Sequence, residues 1–157
     1  MSTKMTDAEY HASLPKKQVG TAVLFFNTQN ELLILKPNYK EGWLVPGGSN
    51  DEGESPLACA IRETHEEIGL RFQSFDLVGV LHSSGSGHKA DSLKFIFNGG
   101  ILSENQIQDI RLQTSEFDEM IFLDINEAIP LLSNSLQKSI PQCIKAIQEK
   151  SFAYIDG

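Results

Sequence analysis

Apolar and polar positions fall in blocks along the chain, and the period within the blocks changes. VGTAVLFF (19–26) and ELLILK (31–36) are dense in β-branched, aromatic and aliphatic residues, with the polar NTQN (27–30) between them. This predicts two strands joined by a four-residue turn. PNYKEG (37–42) reads as a loop, and WLV (43–45) as a short strand running into Pro46-Gly47-Gly48. DLVGVLH (76–82) predicts a strand and SSGSGHKAD (83–91) a mobile loop. SLKFIFNGGIL (92–102) predicts a strand interrupted at Gly99-Gly100, and EMIFL (119–123) a further strand. Asn126 is placed to cap a short helix over 127–132, and Pro141 to open a final helix carrying Ile144 and Ile147. Residues 1–18 are polar and unpatterned, which predicts a loose or weakly helical arm ahead of a single domain over 19–157.

The period is helical over 55–68. Ser55 suits the N-cap, Pro56 the first helical position and Gly69 the position just past the end. At about 100° per residue, Leu57, Ile61, Thr64 and Ile68 share one face with core spacing. Glu63, Glu66 and Glu67 are expected on the far side, pointing away from the core and toward one point above the helix. Strands interleaved with helices predict a mixed sheet covered by helices, without fixing its topology.

Composition then limits the chemistry. A chain of 157 residues, 40% hydrophobic and 22% charged, has the size and balance of one globular domain. The net charge of -8 argues against general binding to nucleic acid or to an anionic membrane surface. A small anionic ligand stays open, because a bound divalent cation reverses the local potential. Cys59 and Cys143 form neither a disulfide framework nor a zinc spacing, which fits a reducing compartment. MSTKMTDAEYHASLPKK has no secretory apolar core, and no apolar run reaches membrane-spanning length, so a soluble cytoplasmic protein is expected.

Like charges this close weaken a helix, so the glutamates need a reason. One reading is a solvated acidic face. The other is a site for a hard divalent cation, which favours carboxylate and carbonyl oxygens. The spacing decides between them. From Gly48 the chain follows G-x5-E-x7-R-E-x2-E-E-x-G through Glu54, Arg62, Glu63, Glu66, Glu67 and Gly69. Seven fixed residues at average usage match by chance in about one of a few hundred million windows.

Residues 48–70 resemble the Nudix box of the Nudix hydrolases, and WLVPGG before them matches the usual lead-in. Thr64 departs, standing where the family has a larger aliphatic residue; a packing effect is expected. The resemblance implies an α/β fold, the Nudix-like α/β/α sandwich with a mixed β-sheet. It also implies hydrolysis of a pyrophosphate linkage in a nucleoside diphosphate-linked compound, with Mg²⁺ or Mn²⁺. By that resemblance Glu66 and Glu67 are metal ligands, Glu63 is a further ligand or the water activator, and the Gly47 carbonyl completes the shell. Arg62 would orient a box glutamate, while Glu54 ties the loop to the helix. Many members add an acid from a later loop; Glu116, Asp118 and Glu119 are available, and Glu119 is the first choice. Cys59, one turn before Glu63, has a role near the metal or tight packing open to it, with packing expected; His82 and His88 flank the glycine-serine loop as substrate contacts or, as expected, ordinary loop histidines. Gly48 would let a phosphate approach, and Tyr39 or Trp43 would stack on a nucleobase, although Trp43 beside the glycine loop fits the core equally well.

The substrate is narrowed mainly by exclusion. No proline lies between Pro56 and Pro130, no tyrosine between Tyr39 and Tyr154, and the first arginine is Arg62. Those gaps weaken the ADP-ribose, diadenosine polyphosphate and coenzyme A subclasses in turn. A nucleoside triphosphate, oxidised or non-standard as in the MutT-like branch, is the first expectation and a nucleotide sugar the second. The partner is then a small-molecule nucleotide, and a homodimer is expected only because dimers are frequent in the family. Two other classes stand beside the enzyme. One is a non-catalytic nucleotide or metabolite sensor of the same fold, which would be expected to lose box carboxylates. The other is an acidic interaction module, which leaves the glycine loop unexplained.

Overall fold

The computed structural model describes residues 4–157, and its sheet follows the alternation in the sequence. Six strands lie in the order β5-β2-β1-β4-β3-β6. They are β1 (Gln18–Phe26), β2 (Leu32–Pro37), β3 (Asp76–Ser83), β4 (Ser92–Ile101), β5 (Phe117–Leu123) and β6 (Ala153–Asp156). β1 pairs antiparallel with β2 and parallel with β4, and β3 runs parallel to β6, so the sheet is mixed.

Side chains alternate across this sheet, and each face finds its own helices. Val23, Phe25, Leu33 and Leu35 point to one side, where they meet Ala60 and Ile68 of α2 (Pro56–Ile68). Ala22, Leu24, Leu32 and Ile34 point to the other, against Leu136, Ile140 and Cys143 of α5 (Asn134–Glu149). The result is the α/β/α sandwich. α3 (Glu104–Asp109) and α4 (Ile125–Ala128) are short connectors. α1 (Asp7–Ser13), inside the polar arm, is closed by a Thr6–Glu9 capping box and buries no residue.

Four expectations need correction. α5 begins at Asn134 and carries Pro141 inside it. Pro141 is exposed, while Leu136, Ile140, Cys143 and Ile144 form a buried stripe that continues past it. Packing of that stripe outweighs the missing hydrogen bond. The cap before α4 is Asp124, whose side chain accepts from the Asn126 amide, so the helix starts earlier than expected. β4 runs through Gly99-Gly100 with a bulge instead of stopping: Leu24 faces Asn98 while Phe25 faces Gly100. A Cβ at Gly99 would meet the Phe25 ring at 2.4 Å, so glycine is what lets the ring lie there. Finally, 43–45 contributes only isolated bridges, from Leu44 to Leu35 and from Trp43 to Leu132.

Candidate active site

The site is assembled at one end of β1. Residues 46–50 run beside that strand: the Val23 amide donates to the Pro46 carbonyl at 2.7 Å, and the Thr21 amide to the Gly48 carbonyl at 2.8 Å. Gly47 is required there. Its φ is +146°, and a Cβ would stand 2.2 Å from the Thr21 carbonyl oxygen. The Gly48 carbonyl is thus engaged, whereas the Gly47 carbonyl accepts no hydrogen bond among the described residues.

α2 begins as its sequence dictates, with the Ser55 hydroxyl accepting from the Ala58 amide and Gly69 closing the helix in the left-handed region. One detail of its face differs from expectation. Cys59, Ala60, Thr64, Glu67 and Ile68 are the buried positions, so Glu67 does not point away from the core. Leu57 and Ile61 flank that face, half-buried. Glu67 stands at i+7 from Ala60 and i+3 from Thr64, on the same side of the helix, and lies under the glycine loop. There its carboxylate accepts from the Gly47 amide at 2.8 Å.

Arg62 organises the rest. Its Nε and Nη2 grip Glu54 at 2.8 and 3.0 Å, and its Nη1 reaches Glu63 at 2.9 Å and Glu66 at 3.1 Å. Nη2 also donates to the Ser49 carbonyl. This fork explains why Glu54 is held down to about 2, chiefly by Arg62 and then by the Asp51 amide. Burial first, and then the charges of Glu63, Glu116 and Glu66, push Glu67 up to about 8 against the Gly47 hydrogen bond. Burial likewise raises Glu63, offset by Arg62.

A cavity of about 400 Å³ brings together Glu63, Glu66, Glu67, Gly47, Gly48 and Tyr39. Tyr39 is an exposed side chain whose hydroxyl is raised by burial and then by Glu116, Glu67 and Glu63. Glu116 also lines the cavity, held there because the Asn38 amide donates to its carbonyl at 2.9 Å. Glu119 does not: it lies on β5 opposite Lys36, outside the lining. Trp43 is absent from the lining too; it packs on the α5-side core, with its amide on the Leu131 carbonyl at 2.8 Å. Cys59 is buried, its sulfur 3.5 Å from the Thr21 hydroxyl, and His82 bonds Asp156 at 3.1 Å away from the cavity. A larger open cleft of about 590 Å³, on the far side of residues 49–54, holds none of the three glutamates.

Lys40 and Lys94 line the cavity without having been foreseen. Lys94 left one trace in the sequence, as the only charge in β4. No three His, Cys, Asp or Glu side chains among the described residues are drawn up at coordination distance: Arg62 holds Glu63 and Glu66, and the Gly47 amide holds Glu67. The donor set still suits a hard dication. It offers carboxylate and carbonyl oxygens only, one carboxylate is raised to about 8 by burial, and one carbonyl is free.

The NUDIX domain family matches residues 16–143, and the chain belongs to that family. Among curated relatives it is similar to an RNA pyrophosphohydrolase from Francisella tularensis subsp. mediasiatica. The two are 36% identical over 61 residues, which is 39% of this chain and 39% of that protein. It is also similar to diphosphoinositol polyphosphate phosphohydrolase 2 from Mus musculus, 32% identical over 71 residues, 43% of this chain and 40% of that protein. The matched region thus spans about two fifths of either relative. A MutT protein from Methanosarcina mazei has the same fold, with TM-score 0.69 and 21% identity over 87% of this chain and 99% of that one. No helix among the described residues is long and apolar enough to cross a membrane.

Proposed function

We propose that the chain hydrolyses the pyrophosphate bond of a nucleoside diphosphate-linked compound, with Mg²⁺ or Mn²⁺ held by Glu63, Glu66, Glu67 and the Gly47 carbonyl. The observation that carries this reading is the convergence of three glutamates and one unengaged carbonyl on a single cavity. The bound ion would neutralise charge on the phosphoryl oxygens and lower the pKa of a water molecule. Glu63, half-buried with its carboxyl raised by burial, would serve as a further ligand or as the proton acceptor for that water. Arg62 fixes the rotamers of Glu63 and Glu66 until substrate arrives, and Glu54 fixes Arg62 in turn. Glu116 is the late acid that completes the ring of carboxylates.

The test is a turnover panel of nucleoside triphosphates, nucleotide sugars and ADP-ribose, assayed with Mg²⁺, with EDTA and with Glu66→Gln. The relatives' names add an RNA pyrophosphate and a diphosphoinositol polyphosphate to the panel. Metal-dependent release of phosphate or of a nucleoside monophosphate, lost in the variant, supports the reading. Tight Mg²⁺ binding with no turnover of any compound overturns it in favour of the sensor.

A further inference from the structure

The cavity has a second wall that the glutamates do not explain. Lys94 stands beside Gly20 on β1 and Leu81 on β3, on the face of the sheet that meets α5. It is half-buried, and it is the one residue shared by the glutamate cavity and a neighbouring pocket of about 370 Å³. The lining of that pocket includes Lys89 and the hydroxyls of Ser83, Ser92 and Ser135, and it contains neither an aromatic nor an acidic residue.

Every lysine ion pair among the described residues belongs to Lys17 or Lys145, so Lys40, Lys89 and Lys94 have no acidic partner. A cation partly removed from water without a counter-charge is costly. Burial lowers the Lys94 pKa, and Lys40 lowers it again. Ser135 lies in the first turn of α5, whose N-cap Ser133 makes no side-chain bond, so the positive end of that helix adds to the field. A nucleobase would want an aromatic platform, and this pocket has none. Ammonium groups, hydroxyls and a helix N-terminus suit a phosphate.

We propose that this pocket seats a second phosphate of the substrate. The group attached to the scissile diphosphate, nucleoside or sugar, then carries a further phosphate monoester, and Lys94 bridges the two halves of the site. The inference rests on the hydrolase reading for the anhydride half and on this pocket for the monoester half.

The test measures binding, in the presence of Mg²⁺, of phosphate esters that contain no anhydride and are not turned over. Adenosine 3′,5′-bisphosphate is compared with adenosine 5′-monophosphate, and fructose 1,6-bisphosphate with fructose 6-phosphate, by calorimetric titration. At least one bisphosphate is expected to bind about tenfold or more tighter than its monophosphate, the effect of one charge-assisted contact. Lys94→Gln should abolish that advantage and Lys94→Arg should keep it, with thermal melts confirming that both variants fold. Equal affinities within both pairs, or an advantage that survives Lys94→Gln, overturns the inference and leaves the hydrolase reading intact. A Lys94-dependent advantage in a protein that turns over no diphosphate keeps the pocket and removes the hydrolase reading.

Discussion

Glu67→Gln should make the metal-free protein more stable at alkaline pH. Glu67 is only 4% exposed, and burial moves its carboxyl from the ordinary 4.5 to about 8. A raised carboxyl means that the folded state holds its proton more tightly than the unfolded chain does. That contribution is complete below about pH 4.5 and is lost as pH rises through about 8. Across the interval, at roughly 1.4 kcal/mol per pH unit, the loss is on the order of 4 kcal/mol. A glutamine keeps the acceptor for the Gly47 amide and never ionises. In EDTA at pH 8 the variant should therefore melt roughly 8–16 °C above the parent, and near pH 4.5 the two should nearly coincide. Mg²⁺ should raise the parent at pH 8 and leave the variant nearly unchanged. Parallel melting curves from pH 4.5 to 8, or a variant that melts below the parent at pH 8, would refute the reasoning.

Three further outcomes follow from the same geometry. Thr64 has a buried hydroxyl with no hydrogen-bond partner among the described residues, so Thr64→Val should raise stability by about 1 kcal/mol in urea unfolding. A Cβ at Gly48 would stand 2.4 Å from Glu63 Oε1, the movable end of a side chain, so Gly48→Ala should weaken Mn²⁺ binding about tenfold, read by electron paramagnetic resonance, while the fold survives. Glu116→Gln should lower kcat about tenfold or more under saturating Mg²⁺, and Glu119→Gln should leave kcat within about twofold, since only Glu116 reaches the cavity.

The parts of the site that the sequence announces are those governed by local rules. α2 starts and stops at the residues its caps require, and β1 and β2 fall within a residue or so of their apolar blocks. The departures have tertiary causes. Glu67 is buried on the side of α2 that carries Ala60 and Thr64, where the Gly47 amide, twenty residues earlier in the chain, donates to its carboxylate. Glu116 lines the cavity where Glu119 does not, and its carbonyl is bonded by the Asn38 amide, a contact between residues far apart in the chain. Lys94 was visible as a lone charge in an apolar strand, but its role depends on lying beside Gly20 of β1. Of the two places open to Trp43 it takes the core, where its backbone pairs with 131–133.

The pairing of Gln18 with Ser92 at the centre of the sheet also sets the order in which the protein comes into being. β1, the glycine loop and the whole acidic helix are synthesised before β4, and β1 keeps an open edge until β4 arrives. Closing so long a loop is slow. Until then the strand that braces Pro46 and Gly48 is only half paired. On a ribosome the glutamates are therefore exposed as an unbraced acidic segment, and cation affinity should emerge only with the final collapse. A truncation stopping short of residue 92 would retain every residue of the motif and still have no site.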